Sequence, residues 1–529
     1  MNRAERRLGK KGLAAPHTIA RLSTLLAPAI ALQKEGRLPA AVAAYREALR
    51  VEPANPAAWC AVSYMLVQLQ SYEEALEAAR TAATYNPKLP EAHHNLGVAY
   101  MNLGAFPQAM RSYAEAARLS PNNWRHAQNL LLASLYRSDM TVEQTNDLHK
   151  TTMARFNVPQ RGPVARPDAH ERIRVGYLSS DLYQHPVTDI LLPVVKRLDP
   201  ARFEIFFYSH DSFPDHVTES LRRIATKFRS IDNLSDADAA ALIRRDNIDV
   251  LVSLSGHFND NRPLVCAHRA APVQISMHNV VTSGLREMDY FVADRWTLPA
   301  SARDWFSEEI VCIEPIYMVD GAPELPPIRE RVGDGPVFGS FNNPLKISDA
   351  CLTLWGRILA RLPAARLALR YRDAYANQSL RRRILTGVCA AGANPSQVVF
   401  YRGTKVSMLE HLDQYNAIDV ALDTFPFSGS TTTFQTLVMG VPLVALAGDR
   451  MAGRWSESIL RTVGRQDYIA ATPEEYVELA CATTALPLEA RAAQRALVVR
   501  SSLCDADSYA RQVQDMFIEL VQRRARAPA

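Results

Sequence analysis

Two stretches of this 529-residue chain concentrate side chains that handle anions, hydroxyls and protons. Residues 422–433 read Leu-Asp-Thr-Phe-Pro-Phe-Ser-Gly-Ser-Thr-Thr-Thr and lead into an apolar segment, 434–439, with helical character. A glycine followed by hydroxyl residues at a helix start offers backbone N–H groups and side-chain donors to an anion such as a phosphate. The same pattern also serves as a Ser/Thr helix cap with no ligand. It is not a Walker loop, because no Gly-Lys-Ser/Thr follows. Gly429, Ser430, Thr431 and Thr432 are the candidates here. The second stretch, Phe341-Asn-Asn343-Pro-Leu-Lys346, ends in a lysine. Its full positive charge can stabilise a departing diphosphate, or it can be an ordinary surface charge.

Histidines recur at comparable places. His185 precedes Pro186, a residue tolerated in the first turn of a helix, so His185 is expected at a helix start. There it can donate to a sugar hydroxyl, handle a proton near neutral pH, or simply cap the helix. Ser255-Gly256-His257 and the loop His278-Asn279-Val-Val-Thr282-Ser283-Gly284 add further polar groups. Together these three loops suggest an acceptor-side surface that includes His257 and Thr282.

The elements that must carry these residues follow from periodicity. From residue 172, short β-branched and aromatic runs alternate with helical stretches: 173–178, 203–208, 250–254, 273–277 and 290–293. A Pro-, Gly- and charge-rich segment, 321–335, interrupts the series, which resumes at 337–341, 367–371, 398–401, 420–423 and 443–446. Such alternation predicts two parallel sheets with crossover helices, that is, two Rossmann-like lobes whose ligands bind beyond the carboxyl ends of the strands. Each motif above follows a predicted strand. Residues from about 505 to 523 predict a closing helix that packs back across the lobes.

The first quarter repeats itself. Pro53, Pro87 and Pro121 are equally spaced, as are Ala48, Ala82 and Ala116, then Ala41, Ala75 and Ala109, and Gly36 and Gly104 with Gln70 between them. The period of about 34 residues is the tetratricopeptide signature. Small residues let antiparallel helices approach, the prolines end each second helix, and Tyr45 and Tyr113 supply bulk. Residues 124–135 predict a capping helix. Such stacks bind peptides or proteins on a concave face, or brace the next domain.

Composition agrees with an ordinary globular chain: 48% hydrophobic, 22% charged, net charge +5. That charge does not argue for nucleic acid or membrane, and part of it sits in the ends, at Arg3, Arg6, Arg7, Lys10 and Lys11 and at Arg523, Arg524 and Arg526. Seven cysteines without a Cys-x-x-Cys pair predict neither a disulfide framework nor a zinc site. No apolar run approaches the ~20 residues of a membrane span, so a cytoplasmic protein is expected.

Taken in order, these residues resemble the catalytic region of glycosyltransferase family 41, which includes protein O-GlcNAc transferases and protein O-fucosyltransferases. The likeness covers about residues 172–520, and the repeats before it match the family's architecture. It implies α-helical tetratricopeptide repeats (20–137), a linker (138–170), and a GT-B fold. In that fold an acceptor-side lobe (171–330) faces a nucleotide-sugar lobe with a C-terminal helix (331–529). By this likeness His185 is the active-site histidine, Lys346 contacts the donor diphosphate, and Gly429, Thr431 and Thr432 form the phosphate loop. Asn343 stands where O-GlcNAc transferases often have glutamine, and His411 lies near the donor base. There are departures too. Gln435 occupies the place of the aspartate that usually holds the donor ribose, and Ser430 replaces Gly or His. Gln414 stands where O-GlcNAc transferases have arginine, and the 278–284 loop keeps only the Thr-Ser-Gly end of Gly-Tyr-Pro-Gly-Thr.

The implied reaction is transfer of a sugar, with inversion, from a nucleotide donor to Ser or Thr of a protein bound through the repeats. UDP-GlcNAc is the first expected donor, and no metal or other cofactor is implied. Two alternatives stand beside this. One is GDP-fucose or an unusual bacterial sugar placed on one dedicated surface or flagellar protein. The other is a repeat-based scaffold without catalysis. Self-association is left open.

Overall fold

The computed structural model describes residues 26–156, 158, 171–210, 214–321, 324–403, 406–483 and 485–526. The basic residues Arg3 to Lys11, residues 20–25 of the expected repeat range and 159–170 of the expected linker lie outside the described residues. The chain divides into two compact units at Ala133/Ser134.

In the first unit, a helical segment at 26–34 precedes helices Leu38–Val51, Pro56–Gln68, Tyr72–Tyr85, Pro90–Asn102 and Phe106–Leu119. Pro53, Pro87 and Pro121 lie just beyond the helices that end at Val51, Tyr85 and Leu119, where a ring without an N–H cannot continue the helix. Ala41, Ala75 and Ala109 are fully buried between helices. The turns inside each repeat require a left-handed residue: Gly36 (φ 72°), Gln70 (φ 58°) and Gly104 (φ 74°) occupy equivalent positions. Gly97 marks the tightest approach, because a Cβ there would stand 2.5 Å from the Tyr113 ring.

The second unit contains two parallel sheets. The first comprises β1 (Ile173–Ser179), β2 (Phe203–Ser209), β3 (Lys227–Ser230), β4 (Val250–Leu254), β5 (Val273–Met277), β6 (Tyr290–Ala293) and β7 (Glu309–Cys312), in the order β3-β2-β1-β4-β5-β6-β7. The second comprises β8 (Val337–Ser340), β9 (Arg366–Arg370), β10 (Val398–Tyr401), β11 (Val420–Leu422), β12 (Leu443–Leu446) and β13 (Ile469–Ala470), in the order β10-β9-β8-β11-β12-β13. Central strands such as β4 and β5 are buried along their whole length; β4 reads as a largely apolar run, whereas β5 buries the polar Gln274 and Ser276 as well. The order in which successive strands are added reverses between β1 and β4 and again between β8 and β11, the switch points where open α/β sheets bind ligands.

The strands missing from the sequence reading, β3, β7 and β13, are all at or next to a sheet edge. β3 and β7 are half-exposed; β3 (Lys-Phe-Arg-Ser) has no apolar run to announce it, and the run in β7, Ile310 to Cys312, is only three residues long. The 138–170 stretch is more than a connection: it carries a helix, Val142–Met153, started by a Thr141–Gln144 capping box. The C-terminal helix Ala506–Arg526 returns to the first lobe, with Phe517 against Phe203, Arg523 on Glu309, and Asp199 N–H donating to Gln514.

Candidate active site

The chemistry-bearing residues follow the strands that flank the two switch points. His185 follows β1, Ser255–His257 follows β4, Asn342–Lys346 follows β8, and Asp423–Thr433 follows β11.

On the second lobe, the helix Thr431–Val438 begins without any side-chain cap. Its first turn therefore keeps backbone N–H groups for a ligand, and the aligned peptide dipoles favour an anion there. Ser430, Thr431 and Thr432 are part-exposed, while Gly429 beneath them is buried. The loop is held by a network. Asp423 accepts from Gly429 N–H (2.9 Å), Thr432 Oγ1 donates to Asn342 Oδ1 (2.7 Å), and Thr433 and Ser456 hydroxyls pair at 2.7 Å. Gly429 is required by crowding, since a Cβ there would lie 2.6 Å from Thr432 Oγ1 and 2.7 Å from Thr433 Oγ1.

Lys346 reaches the same loop. Its Nζ donates to the Ser428 carbonyl at 2.7 Å and stands 4.2 Å from the Phe427 ring centroid. Burial lowers its pKa to about 8, while the nearby Asp423 carboxylate works in the opposite direction. Asp423 is raised by its own burial, with the Gly429 and Thr424 N–H groups and Lys346 opposing that shift. Phe427 also contacts Tyr136 (5.4 Å) and Phe258 (6.1 Å), so one ring ties the lysine to the first lobe.

Asn343 caps the turn carrying Lys346 by accepting from Leu345 N–H (3.1 Å). Gln435 is buried, and its Oε1 accepts from His411 Nε2 (3.1 Å) and from the Tyr415 hydroxyl (3.3 Å). The carboxamide NH₂ is thereby turned toward Met408 Sδ, 3.8 Å away. Burial pushes the His411 pKa down, against the hydrogen bond to Gln435, which favours its charged form.

On the first lobe, His185 caps the Pro186–Arg197 helix: Nδ1 accepts from Val187 N–H at 3.3 Å, and Thr188 Oγ1 accepts from His185 N–H. In the neutral ring the proton is then on Nε2, which can donate and not accept. Of the loops expected to form an acceptor surface, two residues are instead interior. His257 is 1% exposed, its ring 5.0 Å from that of His149, and burial lowers its pKa to about 4. Thr282 is fully buried and donates to Glu308 at 2.6 Å. The Val142–Met153 helix covers this corner, with the His149 carbonyl lying 2.8 Å from where a Cβ on Gly284 would stand.

One residue that the motifs did not single out also reaches the Thr431–Val438 helix. Tyr317, after β7, packs on Phe434 at 5.8 Å.

Two parallel sheets, one followed by a histidine-capped helix and the other by a basic and hydroxyl-rich helix start, make up a two-lobed GT-B fold that comes after tetratricopeptide repeats in the chain. The comparisons agree. The family model for glycosyl transferase family 41 matches residues 125–333 and 331–513, and tetratricopeptide models match 64–104 and 90–123. The chain belongs to glycosyltransferase family 41.

It is 31% identical over 74% of its length to a probable UDP-N-acetylglucosamine–peptide N-acetylglucosaminyltransferase, SPINDLY, of Arabidopsis thaliana. It is 30% identical over 77% to the protein of the same name from Solanum lycopersicum. The chain spans less than half of each of these relatives, 44% and 45%. A solved lysine-to-methionine variant of the Thermobaculum terrenum O-GlcNAc transferase superposes with TM-score 0.85 at 30% identity, covering 97% of this chain and 99% of that one.

Proposed function

We propose that the protein transfers a sugar from a nucleotide donor to Ser or Thr hydroxyls of a protein, with UDP-GlcNAc as the first donor. The observation that carries this reading is the uncapped helix start at Thr431 with Lys346 beside it. A full charge and free N–H groups converge where a diphosphate would leave. The names of the relatives support the donor and the peptide acceptor.

In this reading the second lobe holds the donor through Lys346, Gly429, Ser430, Thr431 and Thr432, with Asn343, His411 and Gln435 at its nucleoside side. His185 acts as a hydrogen-bond donor from Nε2. The repeats present the acceptor protein. Among the described residues no helix is long and apolar enough to cross a membrane, and all seven cysteines are free; these features support work in a reducing cytoplasm.

Gln435 opens a second donor reading. Its oxygen is occupied by His411 and Tyr415, so it offers an NH₂ where a carboxylate would accept from hydroxyls. Both nucleotides, UDP and GDP, carry the same ribose, so this change marks an altered donor site without choosing between them, and GDP-fucose or an unusual bacterial sugar is the second donor reading.

A thermal-shift panel of UDP, GDP, CMP and dTDP with their sugar conjugates, followed by mass spectrometry of a Ser/Thr peptide library, tests both. Stabilisation by UDP-GlcNAc and a HexNAc mass increment support the first. Stabilisation by GDP-fucose alone selects the second. A flat panel rejects the transferase.

A further inference from the structure

An inverting transfer needs a group that takes the proton from the attacking hydroxyl, and the obvious histidine is not free to do it. His185 spends its Nδ1 lone pair on Val187 N–H, which leaves a hydrogen on Nε2. His257 is interior, its ring tilted against that of His149 at 5.0 Å. Asp181, at the end of β1, is 1% exposed and already accepts from Asn259 Nδ2 (2.8 Å) and Asn261 Nδ2 (2.9 Å). Glu308 is buried beneath Thr282 and Ser283, accepting from both.

Asp189 differs from all of these. It lies one turn after His185 in the Pro186–Arg197 helix, so the two side chains share a face. Among the described residues its carboxylate carries no hydrogen bond and no ion pair. It is near enough to His185 and to the buried Tyr317 phenol to act on both electrostatically. Tyr317 in turn packs on Phe434 of the Thr431–Val438 helix, with ring centroids 5.8 Å apart. Asp189 is thus within electrostatic reach of a residue that contacts the helix of the second lobe.

The ordinary alternative is an acidic residue placed in a first turn to complement the helix dipole. That role lowers a carboxyl's proton affinity. Here the side chain is exposed to solvent, and the protein around it still raises its pKa by desolvation, with His185 opposing. A carboxylate that is reachable, unpaired and more basic than usual is suited to general-base work.

We infer that Asp189 is the general base of the transfer and that His185 is its hydrogen-bonding neighbour. This rests on the transferase reading above. The acceptor hydroxyl oxygen attacks the anomeric carbon, and the bond from that carbon to the β-phosphate oxygen breaks. The electron pair leaves with the nucleoside diphosphate beside Lys346 and the Thr431 helix start, and the hydroxyl proton passes to the Asp189 carboxylate.

The test is nucleotide release by the full chain from UDP-GlcNAc, or from GDP-fucose, with a Ser/Thr peptide library, followed from about pH 5 to about pH 9, which brackets a raised carboxyl and neutrality. Asp189→Asn should lower kcat by about 10²-fold or more while the melting shift produced by UDP or GDP stays that of the wild type. The wild-type rate should fall on the acid side as Asp189 takes up its proton, Asp189→Glu should retain that limb at a lower rate, and Asp189→Asn should lose it. Turnover of Asp189→Asn within about twofold of wild type, with the acid limb intact, overturns the assignment and leaves the transferase standing. Absence of release by the wild-type protein with every donor overturns the transferase reading, and Asp189's role falls with it.

Discussion

Lys346 is folded onto Phe427, its ammonium 4.2 Å from the ring centroid and 2.7 Å from the Ser428 carbonyl oxygen. These are substitutes for the hydration the charge gave up on burial, and the depressed pKa shows that they do not replace it fully. A diphosphate would supply the missing counter-charge. Lys346→Ala should therefore weaken UDP binding by about 1.5–3 kcal/mol, the range for a hydrogen bond to a charged group. It should change the melting temperature of the free protein little, because a costly buried charge goes with it. Isothermal titration with UDP, alongside a melt of each protein, reads both.

The same lysine predicts a pH dependence of donor affinity. Its pKa in the free protein is about 8, and a bound diphosphate, favouring the charged form, must raise it. Below the free value the lysine is charged in both states and affinity is flat. As pH rises through that value, the free protein loses the proton first, so binding must take one up and affinity falls by up to about tenfold per pH unit. UDP affinity measured from about pH 6.5 to about pH 9.5, a range that spans the lysine, should show this fall in the wild type and a flat line in Lys346→Ala.

How far the site was legible in the sequence depends on what each residue's role requires. Lys346 and the 429–433 loop were readable because a charge and a glycine-hydroxyl helix start are local features, set by neighbouring residues along the chain. His257 and Thr282 read equally well as polar rim, yet they are interior, because the covering helix gave no signal. Val142–Met153 buries Thr145, Asn146, His149 and Thr152 with a single methionine, so its inward face has no apolar stripe to detect. Asp189 was hidden for the opposite reason: acids are common in first turns, and only the surroundings contributed by Tyr317 set this one apart. Central strands such as β4 were legible as apolar runs, whereas β3 (Lys-Phe-Arg-Ser) is half-exposed and spells none.

Gly429→Ala tests whether the loop is built to hold its shape around an anion. The added Cβ would stand 2.6 Å from Thr432 Oγ1 and 3.1 Å from Asn342 Oδ1, the two atoms whose bond sets the first turn of the helix. The methyl cannot be accommodated without breaking that bond or lifting the loop. Overpacking of this kind costs about 1–3 kcal/mol. The expected result is a lowered melting temperature together with loss of the UDP-induced shift. A variant that binds UDP like the wild type would show that the loop tolerates displacement and that Gly429 is not needed for its shape.

In the repeat unit, the corresponding test is Gly97→Val. A Cβ at this position meets three atoms of the Tyr113 ring at 2.5–2.9 Å. Tyr113 is 3% exposed and has no room to retreat without parting the Pro90–Asn102 and Phe106–Leu119 helices. The branched side chain should therefore destabilise the repeats by about 1–3 kcal/mol, and somewhat more if the ring must leave its pocket. Hydrogen exchange should quicken first in amides of residues 90–119. UDP binding, which depends on Lys346 and the Thr431 helix start in the other unit, should persist. Loss of the helices at 90–119 with retained UDP affinity would establish that the donor site does not require intact repeats; unchanged exchange would mean that Tyr113 finds another rotamer and the contact is not tight.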